Sequence, residues 1–151
     1  MLTKTPNGLH EIVDTFGDIN DPQFEVKHII PITLPYPLTF KGILIPRIRC
    51  HKLLADNFIA VFKDIQTVGL EASATEYEGV YQNRSIKGFP LSPSTHSWGI
   101  AIDMNSSTNP LGKVGDMNPC VVAIFKKHGF TWGGDFLHRL DYMHFQFATG
   151  Y

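Results

Sequence analysis

Proline is concentrated in the first third of this chain and limits what that part can form. Six of the ten prolines lie within residues 1–47 of the 151-residue sequence. Proline lacks a backbone N–H and its ring clashes with the preceding helical turn, so no long helix can run through this segment. We therefore expect a single domain, 1–151, in which residues 1–47 form an irregular N-terminal wrap and residues 48–151 form the core with the functional site.

Residues 48–68 show the periodicity of a helix. Apolar side chains recur at spacings of four and three residues, at Leu54, Phe58, Val61, Ile65 and Val68. This spacing places them on one face of an amphipathic helix of about five turns. Gly69 follows as a stop signal. The segment is expected to be the main core helix.

The rest of the chain combines short extended patterns with one further helix. Trp98 to Met104 alternates large apolar side chains with Asp103 and small residues, which predicts a strand. Asn118-Pro119 is typical of a helix N-terminus, and residues 130–132 and 142–147 are expected to be strands. Because helices and strands are segregated, we predict an α+β fold. A small antiparallel sheet would carry the site and pack against two or three helices.

Composition and charge exclude several function classes. The net charge is −1 and the pI is about 6.6, so the chain lacks the basic surface that nucleic acids or anionic membranes attract. No apolar run approaches the length of about 18 residues that a transmembrane helix needs, and Met1 to Asn20 has no signal-peptide pattern. Cys50 and Cys120 lie outside any CxxC motif and are expected to be buried, reduced thiols. We expect a monomer.

Two histidines and an aspartate form a candidate metal site. His96 and Asp103 lie around the predicted strand, and His144 lies near the end of the chain. Zinc accepts imidazole nitrogen and carboxylate oxygen, and catalytic zinc sites commonly use three protein ligands and a water. The HExxH, GxSxG, GxGxxG and P-loop motifs are absent. On the residues alone, a metal site and ordinary structural roles for these side chains remain equally open.

Three ordered segments carry a family resemblance. Ser94 to Asp103 fits the pattern S-x-H-x-x-G-x-A-x-D, Gly129 to Phe136 and Asp141 to Phe145 form a closing block, and Gly79 to Arg84 lies upstream. Together they resemble the zinc peptidases that include D-alanyl-D-alanine dipeptidases and carboxypeptidases, and most of all the phage-type L-alanyl-D-glutamate endopeptidases. The chain departs from the family at two positions, Phe136 in place of tryptophan and Val80 in place of a frequent cysteine.

The resemblance implies a role for each matching residue. His96, Asp103 and His144 would bind one zinc ion per chain, and a zinc-bound water would attack the peptide. Asp141 would be the general base, or instead a carboxylate that holds His144. Arg84 would stabilise the oxyanion, or instead form a surface ion pair. The candidate substrate contacts are Ser94 (which can also orient His96), Trp132 and Asp135.

The implied function is hydrolysis of the L-alanyl-D-glutamate bond in peptidoglycan stem peptides by a zinc metallopeptidase of the endolysin type. Such an enzyme would remain in the host cytoplasm before lysis and reach the cell wall once the membrane is breached. Two alternatives remain open. One is a D-alanyl-D-alanine carboxypeptidase or dipeptidase with the same centre. The other is a non-enzymatic phage virion or wall-binding module on the same fold.

Overall fold

The structure is a computed structural model that describes residues 1–151. The α-helices are Gly8–Phe16 (α1), Phe24–His28 (α2), Ala55–Thr67 (α3) and Pro119–Lys127 (α4). The strands are Ile29–Phe40 (β1), Ile43–His51 (β2), Tyr77–Gly79 (β3), Ser85–Ile86 (β4), Phe89–Pro93 (β5), Ala101–Met104 (β6), Thr131–Trp132 (β7) and His144–Gln146 (β8). Short 3-10 turns lie at Lys52–Leu54, Glu71–Ser73, Thr95–Trp98 and Gly133–Asp135. The predicted α+β class is confirmed, with small antiparallel sheets and few helices.

Residues 1–47 are more regular than the prolines indicated. α1 occupies the nine residues that precede Gly17, and α2 is a single short turn that leads into β1. Of the three prolines in β1, Pro35 and Pro37 lie in a stretch without regular pairing to β2, so their missing N–H groups break no ladder there. The register of this pair shifts between Thr33 and Leu38. In place of the expected irregular wrap, the segment contains two helices and most of a long hairpin.

α3 begins later than the helical periodicity indicated. β2 continues to His51 and a 3-10 turn follows, so the predicted helix start at residue 48 is wrong. His51 explains the difference, because its Nδ1 atom accepts a hydrogen bond from the Leu53 N–H at 3.2 Å and caps the 3-10 turn. Four of the five predicted apolar positions are fully buried, Leu54, Phe58, Val61 and Ile65, whereas Val68 follows the helix and is exposed.

The four-stranded sheet brings distant parts of the chain together. Its strand order is β3-β6-β8-β7, and all its pairs are antiparallel. In the pairing of β6 with β8, Asp103 lies directly opposite His144. Directly opposite residues in an antiparallel pair leave the same face of the sheet. Two predicted metal ligands, 41 residues apart in sequence, therefore become neighbours.

Aromatic packing joins this sheet to the helices. The rings of Phe125 on α4 and Phe145 on β8 stack with centroids 4.0 Å apart. Phe62 on α3 meets Phe125 edge-on, with centroids 6.2 Å apart. These rings belong to a connected core of 29 buried residues. Because interiors are close-packed, the strand that carries His144 rests on a support that resists displacement.

The cysteines follow the prediction in part. Neither forms a disulfide. Cys50 is buried within β2, and burial raises the pKa of its thiol to about 12. Cys120 is exposed in the first turn of α4, so the expectation of burial is wrong for this residue.

None of the helices combines the length and the apolar character that crossing a bilayer requires.

Candidate metal centre

A 3-10 turn ahead of β6 positions His96. Ser94 caps this turn, since its Oγ atom accepts a hydrogen bond from the His96 N–H at 3.4 Å. Gly99 ends the turn in the left-handed region, with φ of 67°. The His96 side chain is fully buried and contacts the side chains of Asp103 and His144. Ser94 therefore supports His96, one of the two roles that the sequence left open for it.

Gly99 meets two constraints that exclude other residues. Its left-handed backbone is strained for any residue with a Cβ atom. A Cβ atom here would also lie 2.9 Å from the His51 backbone nitrogen and 2.9 Å from Ile29 Cδ1. The Gly99 carbonyl oxygen accepts a hydrogen bond from the His51 N–H at 3.0 Å. Gly99 thus lets the turn that carries His96 pack directly against the β1–β2 hairpin.

Three ligand atoms converge on one point. His144 Nδ1 lies 2.9 Å from Asp103 Oδ1, and His96 Nε2 lies 3.2 Å from Asp103 Oδ2. The two ring nitrogens, His96 Nε2 and His144 Nδ1, are 3.3 Å apart. Potential ligand atoms of all three residues lie within 4.8 Å of one another. The structure therefore brings together the three residues that the sequence named as candidate ligands.

The outer nitrogen of each imidazole contacts a hydrogen-bond acceptor. His96 Nδ1 lies 2.8 Å from the Val80 carbonyl oxygen, which can only accept. His144 Nε2 lies 3.0 Å from Gln146 Oε1. The Gln146 amide nitrogen donates to the main-chain oxygen of Tyr151 at 3.1 Å, which turns the amide oxygen towards His144. In the neutral imidazoles both protons therefore lie on the outer nitrogens.

The positions of these two protons show whether the three side chains are suited to bind a metal ion. In these neutral forms, the inner nitrogens of His96 and His144 direct lone pairs towards each other and towards the Asp103 carboxylate. Such an arrangement is repulsive alone and becomes favourable around a divalent cation. Histidine ligands of zinc usually donate their other N–H to a carbonyl or carboxylate, as these two do. Two imidazoles and a carboxylate are a donor set that zinc accepts, so the residues fit the ion.

Asp103 remains ionised in this environment. Burial alone would raise the pKa of Asp103, but the positive charge and the hydrogen bonds of His96 and His144 in their protonated forms outweigh burial, so the net pKa falls well below the ordinary value. An ionised carboxylate is the form that binds a cation. The side chain is also mostly buried, with 14% of its surface exposed, which limits competition from water for its oxygens.

Asp141 lies just before the short turn that leads into β8. Its carbonyl oxygen accepts a hydrogen bond from the His144 N–H at 3.0 Å, and its own N–H donates to the Gly133 carbonyl oxygen at 2.9 Å. A Cβ atom on Gly133 would lie 2.3 Å from the Asp141 carbonyl oxygen and 2.9 Å from its Cβ atom. Gly133 therefore permits the close approach that holds the Asp141 backbone in place.

The Asp141 carboxylate has the character of a base. Its Oδ1 atom is buried and has no hydrogen-bond partner. Burial raises the pKa of Asp141, and the net shift remains upward although the nearby His144 opposes it. A carboxylate with a raised pKa accepts a proton more readily near neutral pH. The outer nitrogen of His144 is held by Gln146 rather than by Asp141, which removes the geometric basis for Asp141 as the support of that ring.

Arg84 faces Asp103 from the rim of the site. Its Nη2 atom lies 3.8 Å from Asp103 Oδ2, and its Nε atom donates to Gln82 Oε1 at 3.1 Å. Ser97 Oγ donates to the Arg84 carbonyl oxygen at 2.9 Å and fixes the backbone. The side chain is 41% exposed, so part of the guanidinium remains free to contact a bound molecule.

A cavity of about 740 Å³ opens over the site. Its wall includes Arg84, Lys87, Ser94, Asp103, Arg139, Asp141 and His144. This volume lies within the range of small-molecule and peptide pockets. Two of the candidate ligands, the candidate base and the candidate oxyanion donor thus share one cavity, whereas His96 is buried and does not line it.

Two predicted substrate contacts lie elsewhere. Trp132 and Asp135 line a neighbouring cavity of about 640 Å³. The Trp132 indole donates to the Tyr142 carbonyl oxygen at 2.8 Å, and Asp135 forms an ion pair of 2.6 Å with Lys126. Both side chains already have local partners, and the structure does not bring them to the metal centre.

Sequence reasoning missed the residues that orient the ligands. Gln146 accepts hydrogen bonds from both His144 and Thr95, the latter at 3.0 Å. Strand alternation is a signal for Gln146, because a residue two positions after His144 lies on the same face. Val80 acts through its carbonyl oxygen, and no side-chain pattern reveals such a role.

Comparison with known proteins agrees with this geometry. Residues 90–147 match the model of a family described as D-alanyl-D-alanine carboxypeptidase. The matched segment contains all three candidate ligands and Asp141, and lacks Arg84. The match covers 58 of the 151 residues, so it shows a similarity of this segment to the peptidase family. No curated protein matches the chain.

Proposed function

We propose that the protein is a zinc-dependent peptidoglycan peptidase that hydrolyses the L-alanyl-D-glutamate bond of the stem peptide. The observation that carries the proposal is the donor set of His96, Asp103 and His144, with both outer imidazole nitrogens held by oxygen acceptors. The peptidase family match supports the class of reaction. The specific bond rests on the resemblance of three sequence segments to phage-type endopeptidases.

The residues around the cavity divide the chemical work. When bound by the three ligands, zinc supplies a Lewis acid that activates water and polarises a carbonyl group. Asp141 takes a proton from the attacking water and delivers it to the leaving amine, a task suited to its raised pKa and unpartnered oxygen. Arg84 directs its guanidinium to the carbonyl oxygen as negative charge develops there.

Removal of a metal ligand tests the zinc site. His96→Ala and His144→Ala should each lose zinc and activity together, because two protein ligands no longer form the three-ligand site. Zinc per chain is measured by mass spectrometry after dialysis, beside turnover of a synthetic stem peptide. His10→Ala, which changes an exposed histidine on α1, should keep both. Full zinc occupancy in the two ligand variants would refute the ligand assignment.

Replacing the candidate base Asp141 tests whether it acts in the catalytic step or in zinc binding. Asp141→Asn should keep zinc and fold but lower kcat by about 10²–10⁴-fold, the usual contribution of a general base. Asp14→Asn, a change at an exposed aspartate, is the matched control and should leave kcat unchanged. If Asp141→Asn loses zinc instead, Asp141 belongs to the metal-binding set and the proposed division of roles is wrong.

The description of the matching family favours a second candidate, a D-alanyl-D-alanine carboxypeptidase. Both candidates use the same residues, so reaction products distinguish them. Purified peptidoglycan should yield new amino termini on D-glutamate under the main proposal, whereas release of free D-alanine supports the second candidate. A zinc-loaded protein that releases neither product would instead be a non-enzymatic module on this fold.

The biological setting that we propose is a phage endolysin that meets the cell wall after the inner membrane is breached. The support is the resemblance to phage-type endopeptidases. A turbidity assay tests it, since the protein added from outside should clear bacteria only after permeabilisation. Clearance of intact Gram-negative cells at the same rate would contradict this setting.

A further inference from the structure

Arg139 is a cation without a carboxylate partner at the junction of two cavities. It lines both the cavity over the metal site and the neighbouring one. Two other cations of these cavities are paired, Arg84 with Asp103 and Lys126 with Asp135, whereas Lys87 forms no ion pair. The charge of Arg139 is therefore available for an anionic group of a bound molecule.

The Arg139 side chain is anchored in a way that leaves donors free. Its Nη1 atom donates to the carbonyl oxygen of Lys87, another residue of the cavity lining, at 2.6 Å, and this is its single hydrogen bond within the protein. A guanidinium carries five N–H donors in a planar fork, so four remain. The residue is half-buried, and it lies two positions before the candidate base Asp141. The anchor reduces the side-chain entropy that binding a ligand costs.

The part of the cavity around Arg139 is suited to bind an anionic group. A guanidinium fork matches a carboxylate in two parallel hydrogen bonds. The three cations that line the metal cavity, Arg84, Lys87 and Arg139, outnumber its two carboxylates, Asp103 and Asp141. Asp103 is engaged by the two histidines and Arg84. Asp141 lies close enough to Arg139 for the arginine to oppose the rise of its pKa. Lys87 and Arg139 form no ion pair, so these two cations against one carboxylate leave an excess of positive charge on this side of the cavity.

We propose that Arg139 determines specificity by binding a free carboxylate of the stem peptide close to the scissile bond. This inference rests on the proposed function. A stem peptide offers two such groups, the α-carboxylate of the D-glutamate residue and the carboxylate at the C-terminus. Both present the same chemistry to Arg139, and amidation removes the charge of each one separately.

A matrix of peptides and variants tests the inference. Three synthetic stem peptides are compared: one with both carboxylates free, one amidated at the D-glutamate α-carboxylate and one amidated at the C-terminus. In the wild-type enzyme, amidation of the recognised carboxylate should lower kcat/KM by about 10–100-fold, chiefly through KM, as expected when a charge-assisted hydrogen bond is lost. Arg139→Gln should lower kcat/KM for the free peptide by a similar factor and should cleave all peptides at similar rates. Arg47→Gln, at an exposed arginine on β2, should behave as wild type.

Each outcome decides between specific claims. The inference is supported if one amidation lowers kcat/KM in the wild type but has no effect in Arg139→Gln. The amidation that has this effect identifies which carboxylate is bound. A uniform loss for all three peptides in Arg139→Gln indicates a structural role through Lys87 and overturns the inference. The products separate this from the proposed function, because Arg139-dependent selection with release of D-alanine keeps the inference while the proposed bond is wrong. No cleavage of any peptide by zinc-loaded wild type overturns both.

Discussion

The state of the metal centre depends on the position of two protons. His96 and His144 present their inner nitrogens to a cation only because a carbonyl oxygen and an amide oxygen take the outer N–H groups. The amide oxygen of Gln146 is itself oriented, since the amide nitrogen donates to main-chain oxygens of Ala148 and Tyr151. The tautomer of His144 is thus set by a buried glutamine that is not one of the three candidate ligands.

Gln146→Leu tests this dependence. Leucine keeps the apolar bulk and removes the acceptor, so His144 loses the partner that holds its tautomer and orientation. Zinc affinity should fall about 10–100-fold, the usual effect of losing such a partner. Competition with a chromophoric chelator measures it, and Gln66→Leu on the exposed side of α3 is the control. An unchanged affinity in Gln146→Leu would show that packing alone orients the ring.

At the scale of elements, the turn that carries His96 depends on the hairpin behind it. The Gly99 carbonyl oxygen bonds the His51 N–H, and the Trp98 indole donates to the Gly17 carbonyl oxygen at 2.9 Å. The β1–β2 hairpin and the end of α1 therefore form a rigid backing for the turn. A residue larger than glycine at position 99 would push the turn away from this backing.

Gly99→Ala should destabilise the fold by about 2–5 kcal/mol, the sum of left-handed strain and overpacking against backbone atoms. Gly112→Ala is the matched control, because Gly112 has φ of 81° but open space around its Cβ position. That variant should lose only the strain, about 1–2 kcal/mol. Urea unfolding of both zinc-free variants measures the difference. Equal losses of unfolding free energy in the two variants would show that the hairpin accommodates the added methyl group without an energetic cost.

Sequence patterns predicted the elements that depend on local chemistry. The Asn118 cap of α4, the alternation along β6 and the core face of α3 all follow from neighbours in the chain. Sequence patterns failed where a distant contact determines the local structure, as at His51. The His51 imidazole hydrogen-bonds the Phe16 carbonyl oxygen and the Leu53 N–H, so β2 extends to His51 where a helix was expected. The candidate ligands were predictable from a motif. The placement of Trp132 in the neighbouring cavity depends on tertiary packing and was not predictable.

At the scale of the whole molecule, a buried histidine ties the N-terminal part to the metal-site turn. His51 Nε2 donates to the Phe16 carbonyl oxygen at 3.0 Å, and its ring stacks on His28 with centroids 5.2 Å apart. Burial lowers the pKa of His51 to about 4, and the neighbouring His28 and Lys52 act in the same direction. Because Nδ1 accepts the Leu53 N–H, a proton there would break the cap at the start of the α3 segment.

The low pKa of His51 predicts how stability depends on pH. In the unfolded chain His51 has the ordinary pKa near 6.5, so between about pH 6.5 and 4 the unfolded state binds a proton that the folded state does not. The contribution is fully present above about pH 6.5 and declines as pH falls through this window, by about 3 kcal/mol in total. His51→Gln should be less stable at pH 7.5 yet lose less stability between pH 7.5 and 4.5 than the wild type. Urea midpoints of zinc-free protein at both pH values measure this, with His10→Gln as the exposed control. Equal slopes in His51→Gln and wild type would mean that His51 takes up its proton in the folded state, and that the link between the hairpin and the metal-site turn tolerates charge.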